Sequence, residues 1–288
     1  MLKKRVIATL VVKDNLVVQS FNFNKYLPVG KPEIAVEFLN QWGVDEIVYL
    51  DISATKNNLE PNFQLIKKVA KKCFVPLTVG GGIKTADHIK ELLQCGADKI
   101  SLNSSLIQNQ KLVLESSTVF GSQCIVASID SFKLNYKYYV YDYLNKQKTD
   151  LEVSTFVDLL QRIGIGEIII NSVDRDGSYK GFDLDLINNV CNYTNVPVIC
   201  SGGAKTPRHF LEVFQNSNVS GASAANYFHF YEHSVTIAKS FINTVVPLRM
   251  ESKINYRENR FSDDFRLLKK NDVELEKMLF TKIEKEII

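Results

Sequence analysis

Short apolar runs rich in β-branched residues alternate with longer amphipathic segments along most of the chain. Eight runs of the first kind predict β-strands. Segments such as KPEIAVEFLNQW and TADHIKELLQCG, where apolar residues recur every three or four positions, predict the helices between them. Eight strand–helix units in about 245 residues match the size of a (β/α)8 barrel. The strand runs begin at Arg5, Glu46, Val75, Lys99, Gln123, Glu167, Val196 and Val219.

The two halves of this pattern repeat each other. The thirty residues from Pro76, which begin PLTVGGGIKT, match those from Pro197, which begin PVICSGGAKT, so that Gly82 falls on Gly203. The sequence therefore predicts an α/β TIM barrel of two similar half-barrels over residues 1–245, with a C-terminal extension over residues 246–288. An open Rossmann-type sheet is the alternative fold, and it does not explain two equivalent four-stranded halves.

Composition narrows the class of protein. Apolar residues make up 45% and charged residues 23%, and the net charge is +3, which is typical of a globular protein and does not favour nucleic-acid binding. Five cysteines without a CxxC pair indicate reduced thiols in a cytoplasmic protein. No segment reaches the ~20 apolar residues of a membrane span. We therefore expect neither nucleic acid nor membrane as a partner.

The four histidines do not predict a metal site. His88 and His209 fall at equivalent positions of the repeat, within the helix that follows a glycine-rich strand end, so a packing or surface role is favoured over catalysis. His229 and His233 lie in or beside the last barrel helix without other ligand-type residues nearby in sequence. We expect no metal and no other cofactor.

Glycines follow two equivalent strands, in VGGGIKT and CSGGAKT. Glycine lets the backbone approach a ligand closely, and the amides that follow can point at an anion. Barrels commonly bind phosphate at such loops, and two symmetric copies favour a substrate with a phosphate at each end. Asp176 and Gly177 add to the second site, although an ordinary Asp-Gly turn is the alternative reading.

Six motifs together resemble the cyclase subunit of imidazole glycerol phosphate synthase, the HisF family, over roughly residues 1–245. The resemblance implies a barrel that receives ammonia from a HisH-like glutaminase docked at its amino-terminal face. Ammonia then passes through the barrel and reacts at the carboxyl-terminal face with a phosphorylated small-molecule substrate. The motifs are LDI at Leu50, PLTVGGGI at Pro76, GADKISLN at Gly96, FGSQCIV at Phe120, DRDG at Asp174 and SGGA at Ser201.

The same resemblance implies roles for particular residues. Asp98 matches a position used in docking the glutaminase, and the family often has a hydroxyl residue where Asn226 stands. The implied ammonia gate is a ring of two acids and two bases that can pair across the barrel axis: Arg5, Glu46, Lys99 and Glu167. The implied phosphate sites are Gly82, Asn103 and Ser104, and, in the second half, Asp176, Gly177, Gly203, Ala225 and Asn226.

One half of the family's acid–base pair is missing. The family uses two aspartates, at the ends of strands one and five, and Asp130 occupies the second position. The repeat aligns VIATLVV with IVASIDS and places Val11 opposite Asp130. Losing a general acid or base typically costs about 10²–10⁴-fold in rate. Asp14 matches a different aspartate of the family loop, so it is not taken as a substitute.

A second departure lies nearby, because Gln19 stands where the family carries a lysine in a mobile first loop. Both departures resemble a HisF-like branch that supplies nitrogen for acetamidino groups on bacterial surface sugars, with a glutaminase and an amidotransferase-like synthetase. That role in lipopolysaccharide synthesis is the leading hypothesis. A working histidine-pathway cyclase is one alternative, and a non-catalytic activator of the glutaminase is the other.

The C-terminal extension contains one predicted helix. DVELEKMLFTKIEKEI has Asp272 as a possible N-cap. The sequence leaves two alternatives for this helix: it packs against the barrel or a partner, or it belongs to a solvated appendage. The apolar face of the helix is Leu275, Met278, Leu279 and Ile283.

Overall fold

Eight parallel strands close into a barrel in the computed structural model, which describes residues 3–229, 232–249 and 258–276. The last barrel strand pairs with the first, with Ile7 opposite Ser223, and this pairing excludes the open sheet. The predicted (β/α)8 barrel is therefore confirmed. Its strands are β1 (Arg5–Lys13), β4 (Glu46–Asp51), β5 (Leu77–Gly80), β6 (Lys99–Leu102), β7 (Ile125–Leu134), β10 (Glu167–Ser172), β11 (Val198–Ser201) and β12 (Gly221–Ala224).

Amphipathic helices surround the barrel, and side chains cap several of them. Thr85 accepts a hydrogen bond from the amide of His88, and Asn62 accepts one from the amide of Leu65. The helices are α1 (Pro32–Gln41), α2 (Ile52–Lys56), α3 (Phe63–Ala70), α4 (Ala86–Gln94), α5 (Ser104–Gln108), α6 (Gln110–Phe120), α7 (Val153–Ile163), α8 (Leu184–Tyr193), α9 (Pro207–Asn216), α10 (Ser234–Ile242) and α11 (Asp272–Glu276). Short 3₁₀ turns are Ser122–Cys124, Val173–Arg175 and Asn226–His229.

Strand alternation divides the core into two layers. On β1, Val6, Ala8 and Leu10 pack against the helices, whereas Ile7 belongs to a separate cluster inside the barrel. The inner cluster lines the lumen with side chains from several strands. Its buried members are Ile7, Val48, Val126, Ile169 and Ile199.

A β-hairpin follows the first strand of each half-barrel. The first hairpin is β2 (Leu16–Phe21) with β3 (Lys25–Gly30), and the second is β8 (Lys137–Asp142) with β9 (Gln147–Glu152). The connection between β1 and α1 that contains Gln19 is the first hairpin, where Gln19 is buried within β2 and pairs with Leu27. The rings of Phe23 and Tyr141 join the two hairpins, with centroids 6.3 Å apart.

Both repeat histidines make the same local contact. His88 Nδ1 accepts a hydrogen bond from the amide of Lys84 at 3.4 Å, and His209 Nδ1 accepts one from Lys205 at 3.2 Å. These contacts give the pair a structural role at the start of α4 and α9. Within the described ranges there is no cluster of metal-ligating side chains, and no described helix is long and apolar enough to cross a membrane.

Residues 258–276 of the extension lie against the last barrel helices. Phe265 packs edge-on against Phe241 of α10, with ring centroids 5.3 Å apart, and Asn259 donates to Ser240. The predicted N-cap at Asp272 is wrong, because Asn271 accepts from the amide of Glu274 and Asp272 is already helical. Met278, Leu279 and Ile283 of the predicted helix face lie outside the described residues, whereas Leu275 lies in α11.

Candidate active site at the carboxyl-terminal end of the barrel

The carboxyl ends of the barrel strands and the two hairpins enclose a cavity of about 520 Å³. Because parallel strands all end on the same face of a barrel, residues far apart in sequence converge there. Asp130 and Val11 both line this cavity, as do both glycine loops. The structure thus brings the predicted phosphate-site residues and the acid–base position into one space.

Asp130 lies near the end of the barrel part of β7 and is held by two carboxamides. Asn103 Nδ2 donates to its Oδ2 at 2.9 Å, and Asn171 Nδ2 donates to its Oδ1 at 3.1 Å. Burial raises the pKa of Asp130 to about 6, against the opposing effect of these two hydrogen bonds. A carboxyl group with this pKa can accept and release a proton near neutral pH.

Asn171 was not identified from the sequence. It lies directly opposite Asp130 in the parallel pairing of β7 and β10, and it faces the lumen two residues beyond Ile169. The inward alternation of the strand from Glu167 was a signal that could have found it.

Val11 occupies the corresponding place on β1. It pairs with Leu50 of β4 and presents an apolar side chain to the cavity. Asp14 also lines the cavity, but it lies three residues beyond Val11, in the turn after β1, with a positive φ of 51°. Its carboxylate lies 3.2 Å from Lys13 Nζ and its side chain is 65% exposed.

The hairpins add an aromatic wall that sequence reasoning missed. Tyr26 of the first hairpin and Tyr143 of the second line the cavity. Burial and the charges of Asp176 and Asp130 raise the pKa of Tyr26 to about 12. Its hydroxyl donates to the carbonyl of Phe23 at 3.0 Å, and the raised pKa keeps it un-ionised at neutral pH.

The first glycine loop meets the start of α5. The Gly82 amide donates to Thr55 Oγ1 at 2.9 Å, and Asn103 and Ser104 line the cavity beside it. Gly82 has a φ of +73°, and a Cβ there would lie 2.9 Å from the nitrogen of Pro61, so glycine is required.

The second glycine loop is arranged differently. Gly177, Gly203, Ala225 and Asn226 all line the cavity, and Gly203 has a φ of +93°. The side chains of Asp176 and Asn226, two residues of the predicted second phosphate site, are hydrogen-bonded to the first hairpin. Their polar atoms therefore serve a protein contact, which their residue types did not indicate.

Four charged residues form a ring at the opposite, amino-terminal end of the barrel. Glu46 lies 2.7 Å from Arg5 and 3.0 Å from Lys99, and Glu167 pairs with the same two cations, at 2.7 Å from Lys99. The acids are almost fully buried, and Thr78 also donates to Glu46. We call this set of four the charged ring. Asp98, just before Lys99, is exposed and accepts from the amide of Leu77.

Fold and site together define a symmetric (β/α)8 barrel. At one end is a cavity lined by two glycine loops and by the buried carboxyl of Asp130, and at the other end is the charged ring. The chain matches a family model described as "Histidine biosynthesis protein" over residues 5–234. It is 44% identical over 266 residues to the "Putative imidazole glycerol phosphate synthase subunit hisF2" of Vibrio vulnificus, covering 92% of this chain and 97% of that protein.

Two further relatives are named imidazole glycerol phosphate synthase subunit HisF. The protein of Natranaerobius thermophilus is 42% identical over 243 residues, covering 84% of this chain and 97% of its own length. The protein of Streptococcus mutans is 40% identical over 240 residues, which cover 83% of this chain and 96% of that protein. This chain belongs to the HisF family, as its motifs predicted.

Proposed function

We propose that this barrel docks a HisH-like glutaminase at its amino-terminal face, conducts ammonia to the cavity and presents it there to a phosphorylated small molecule. The acid–base chemistry in the cavity differs from that of a two-aspartate cyclase. One observation carries this proposal: Asp130 is held between two carboxamides with a raised pKa, while Val11 faces the same cavity at the equivalent strand end.

The lumen supports ammonia conduction. The two acids and two bases of the charged ring have no net charge. They lie at the start of four strands, at the end of the barrel where the glutaminase would dock and release ammonia. Above it, Thr9 and Ser223 share a hydrogen bond of 2.5 Å. Ser101 Oγ is buried and has no hydrogen-bond partner among the described residues. A small neutral molecule with polar hydrogens can satisfy such a group. Asp98 is an exposed carboxylate at the same end, which suits contact with a basic group of the glutaminase.

The cavity supports a phosphorylated ligand. Two glycine loops from opposite halves of the barrel present backbone at positive φ, and Lys13, Lys56 and Lys146 line the same space. In the second loop, backbone amides of Gly203 and Ala225 carry the anion, because the nearby side chains bind the hairpin.

For the nitrogen acceptor, we propose a sugar that receives an acetamidino group during surface polysaccharide synthesis, in company with an amidotransferase-like synthetase. Val11 and Gln19 support this role, because both remove a polar or charged group from strand one and its hairpin. The second candidate is a histidine-pathway cyclase, which the 40–42% identity to HisF subunits favours.

Turnover of the diphosphorylated ribotide substrate of the HisF family, with ammonium salt as nitrogen source, tests the proposal. We expect the purified chain to work at least about 10²-fold more slowly than an authentic HisF subunit, because one acid–base group is absent. Val11→Asp should raise the rate, and Val11→Asn, similar in size but unable to transfer a proton, is the matched control. Normal turnover by the unmodified chain would favour the cyclase candidate instead.

Docking is tested separately from chemistry. Glutamine hydrolysis by a HisH-like partner should rise when this chain is added, and Asp98→Asn should weaken the stimulation. A rate that does not respond to the chain would remove the glutaminase from the proposal. Stimulation without any turnover of phosphorylated acceptors would leave the non-catalytic activator as the function.

A further inference from the structure

The first hairpin is fastened to the second half of the barrel by side chains of two loops. Asn226 Oδ1 accepts from the Ser20 amide at 3.0 Å, and Asn226 Nδ2 donates to the Ser20 carbonyl at 2.7 Å. The backbone N–H and C=O of Ser20 are thus both paired with the Asn226 carboxamide, as they would be with the backbone of a neighbouring β-strand. Asn226 and Ser20 are both buried.

Asp176 adds three bonds to the same hairpin. Its Oδ2 accepts from Ser20 Oγ at 2.8 Å and from the Phe23 amide at 3.0 Å, and its carbonyl accepts from the Asn22 amide at 3.2 Å. The contact is close packed, since a Cβ on Gly177 would lie 2.7 Å from the Phe21 ring.

The backbone at the tip of the first hairpin is strained, which is consistent with contacts from outside the hairpin fixing its conformation. Asn22 and Phe23 have φ values of 52° and 53°. The left-handed region is unfavourable for an aromatic residue, and such a conformation persists where surrounding contacts fix it. The Phe23 amide bond to Asp176 is one such contact.

The equivalent positions in the first half-barrel do something else. At the offset of 121 residues, Asp176 corresponds to Thr55 and Asn226 to Ser105. Thr55 accepts from the Gly82 amide and Ser105 donates to the carbonyl of Ile83, so both contact the glycine loop of their own half. Thr55 also shares a hydrogen bond with the side chain of Tyr143 in the second hairpin. Asn226 therefore departs from its counterpart, because Ser105 contacts its own glycine loop whereas Asn226 pairs with both backbone groups of Ser20.

We propose that Asn226 is a positioning residue whose carboxamide latches the first hairpin over the cavity, so that the hairpin is a standing wall of the site before any ligand arrives. The latch places Phe23 and Tyr26 beside the cavity. Val11, which stands where the family has the strand-one aspartate, lines the same cavity. This inference rests on the proposed function only in treating the cavity as the ligand site. Asn226 is then not a side-chain phosphate ligand.

Hydrogen–deuterium exchange of the full chain without ligand tests the latch. In the unmodified protein, amides of residues 17–24 should exchange as slowly as barrel strands. Asn226→Ser, whose short hydroxyl cannot pair with both groups of Ser20, should speed exchange of this segment by at least about tenfold, because two buried hydrogen bonds are lost. Strand β7 should not change.

The matched control is Asn145→Ser in the turn of the second hairpin. Asn145 donates to Asp142 at 2.7 Å and is exposed, so its loss should leave residues 17–24 unchanged. Fast exchange of residues 17–24 in the unmodified protein would overturn the latch without any variant, even if Asn226→Ser failed to fold.

Measuring the binding of inorganic phosphate distinguishes whether the Asn226 side chain positions the hairpin or binds phosphate. For this measurement the variant is Asn226→Ala, whose side chain has no hydrogen-bonding group. Its dissociation constant should stay within about threefold of the unmodified chain, because the backbone amides remain in place. Loss of phosphate binding with unchanged exchange of the hairpin would overturn the inference and make Asn226 a phosphate ligand. Failure of the unmodified chain to bind phosphate would instead count against the proposed function and leave the exchange result standing.

Discussion

The two half-barrels share a backbone plan but distribute polar chemistry unequally. The second half contributes the buried Asp130 and Asn171 to the cavity, whereas the first contributes Val11 at the matching strand end and Asn103, which donates to Asp130. Thr55 hydrogen-bonds its own glycine loop and the Tyr143 side chain, whereas its counterpart Asp176 hydrogen-bonds the backbone of the first hairpin at Phe23. A repeated fold therefore conserves where side chains point, while the residue at each position decides what contact is made there.

The largest effect should come from removing the remaining carboxylate. Asp130→Asn should lower turnover of a phosphorylated acceptor by about 10²–10⁴-fold, because the amide cannot transfer a proton. Val11→Ala, at the equivalent position, should change the rate by less than about threefold. Steady-state kinetics with ammonium salt measure both, and equal losses would show that the two strand ends contribute alike.

Removing one acid of the charged ring at a time compares how much each half-barrel contributes to stability at the amino-terminal end of the barrel. Glu46→Gln or Glu167→Gln leaves two buried or half-buried cations without one partner, and removing one member of a buried ion pair typically costs about 3–5 kcal/mol. Glu46→Gln should cost slightly more, because Thr78 also donates to Glu46. Urea unfolding gives the two free energies, and Glu37→Gln, at an exposed pair with Lys72, is the control.

The glycine loops should differ in their tolerance of a methyl group. Gly203→Ala would place a Cβ 2.2 Å from the Gly181 carbonyl oxygen, whereas Gly82→Ala would place one 2.9 Å from the Pro61 nitrogen. Both positions have positive φ, so both variants are destabilised, by roughly 1–3 kcal/mol. We expect the larger drop in thermal midpoint for Gly203→Ala, and the reverse order would contradict the packing argument.

Stability should depend on pH through Asp130. Its pKa of about 6 in the folded chain exceeds the ordinary value of an unfolded aspartate, about 3.9, because burial disfavours the charged form. The stabilising contribution is therefore fully present below about pH 4 and is lost as pH rises through 6. Relative to Asp130→Asn, the unmodified chain should lose about 2–3 kcal/mol between pH 4 and 7 in urea unfolding. A difference independent of pH would show that the carboxyl titrates normally.

Much of the site could be predicted because the chain repeats itself. The strand period, the glycines and the offset that places Val11 opposite Asp130 are local or periodic signals. Asn171 was missed, although it lies on a predicted strand, because an asparagine alone does not indicate which side chain it will meet. The hairpins were missed because the turn at Asn22 and Phe23 lacks the glycine that usually marks a tight turn.

The sequence by itself determined the barrel, its two halves and the family, since hydrophobic periodicity and repeated motifs are properties of the chain's order. It also determined that strand one ends without a carboxylate. Only the tertiary structure decided the pKa of Asp130, the pairing within the charged ring and the hold of Asn226 on the first hairpin. Burial and hydrogen-bond partners arise from residues distant in sequence, and barrel closure is what brings Ser20 and Asn226 within hydrogen-bonding distance.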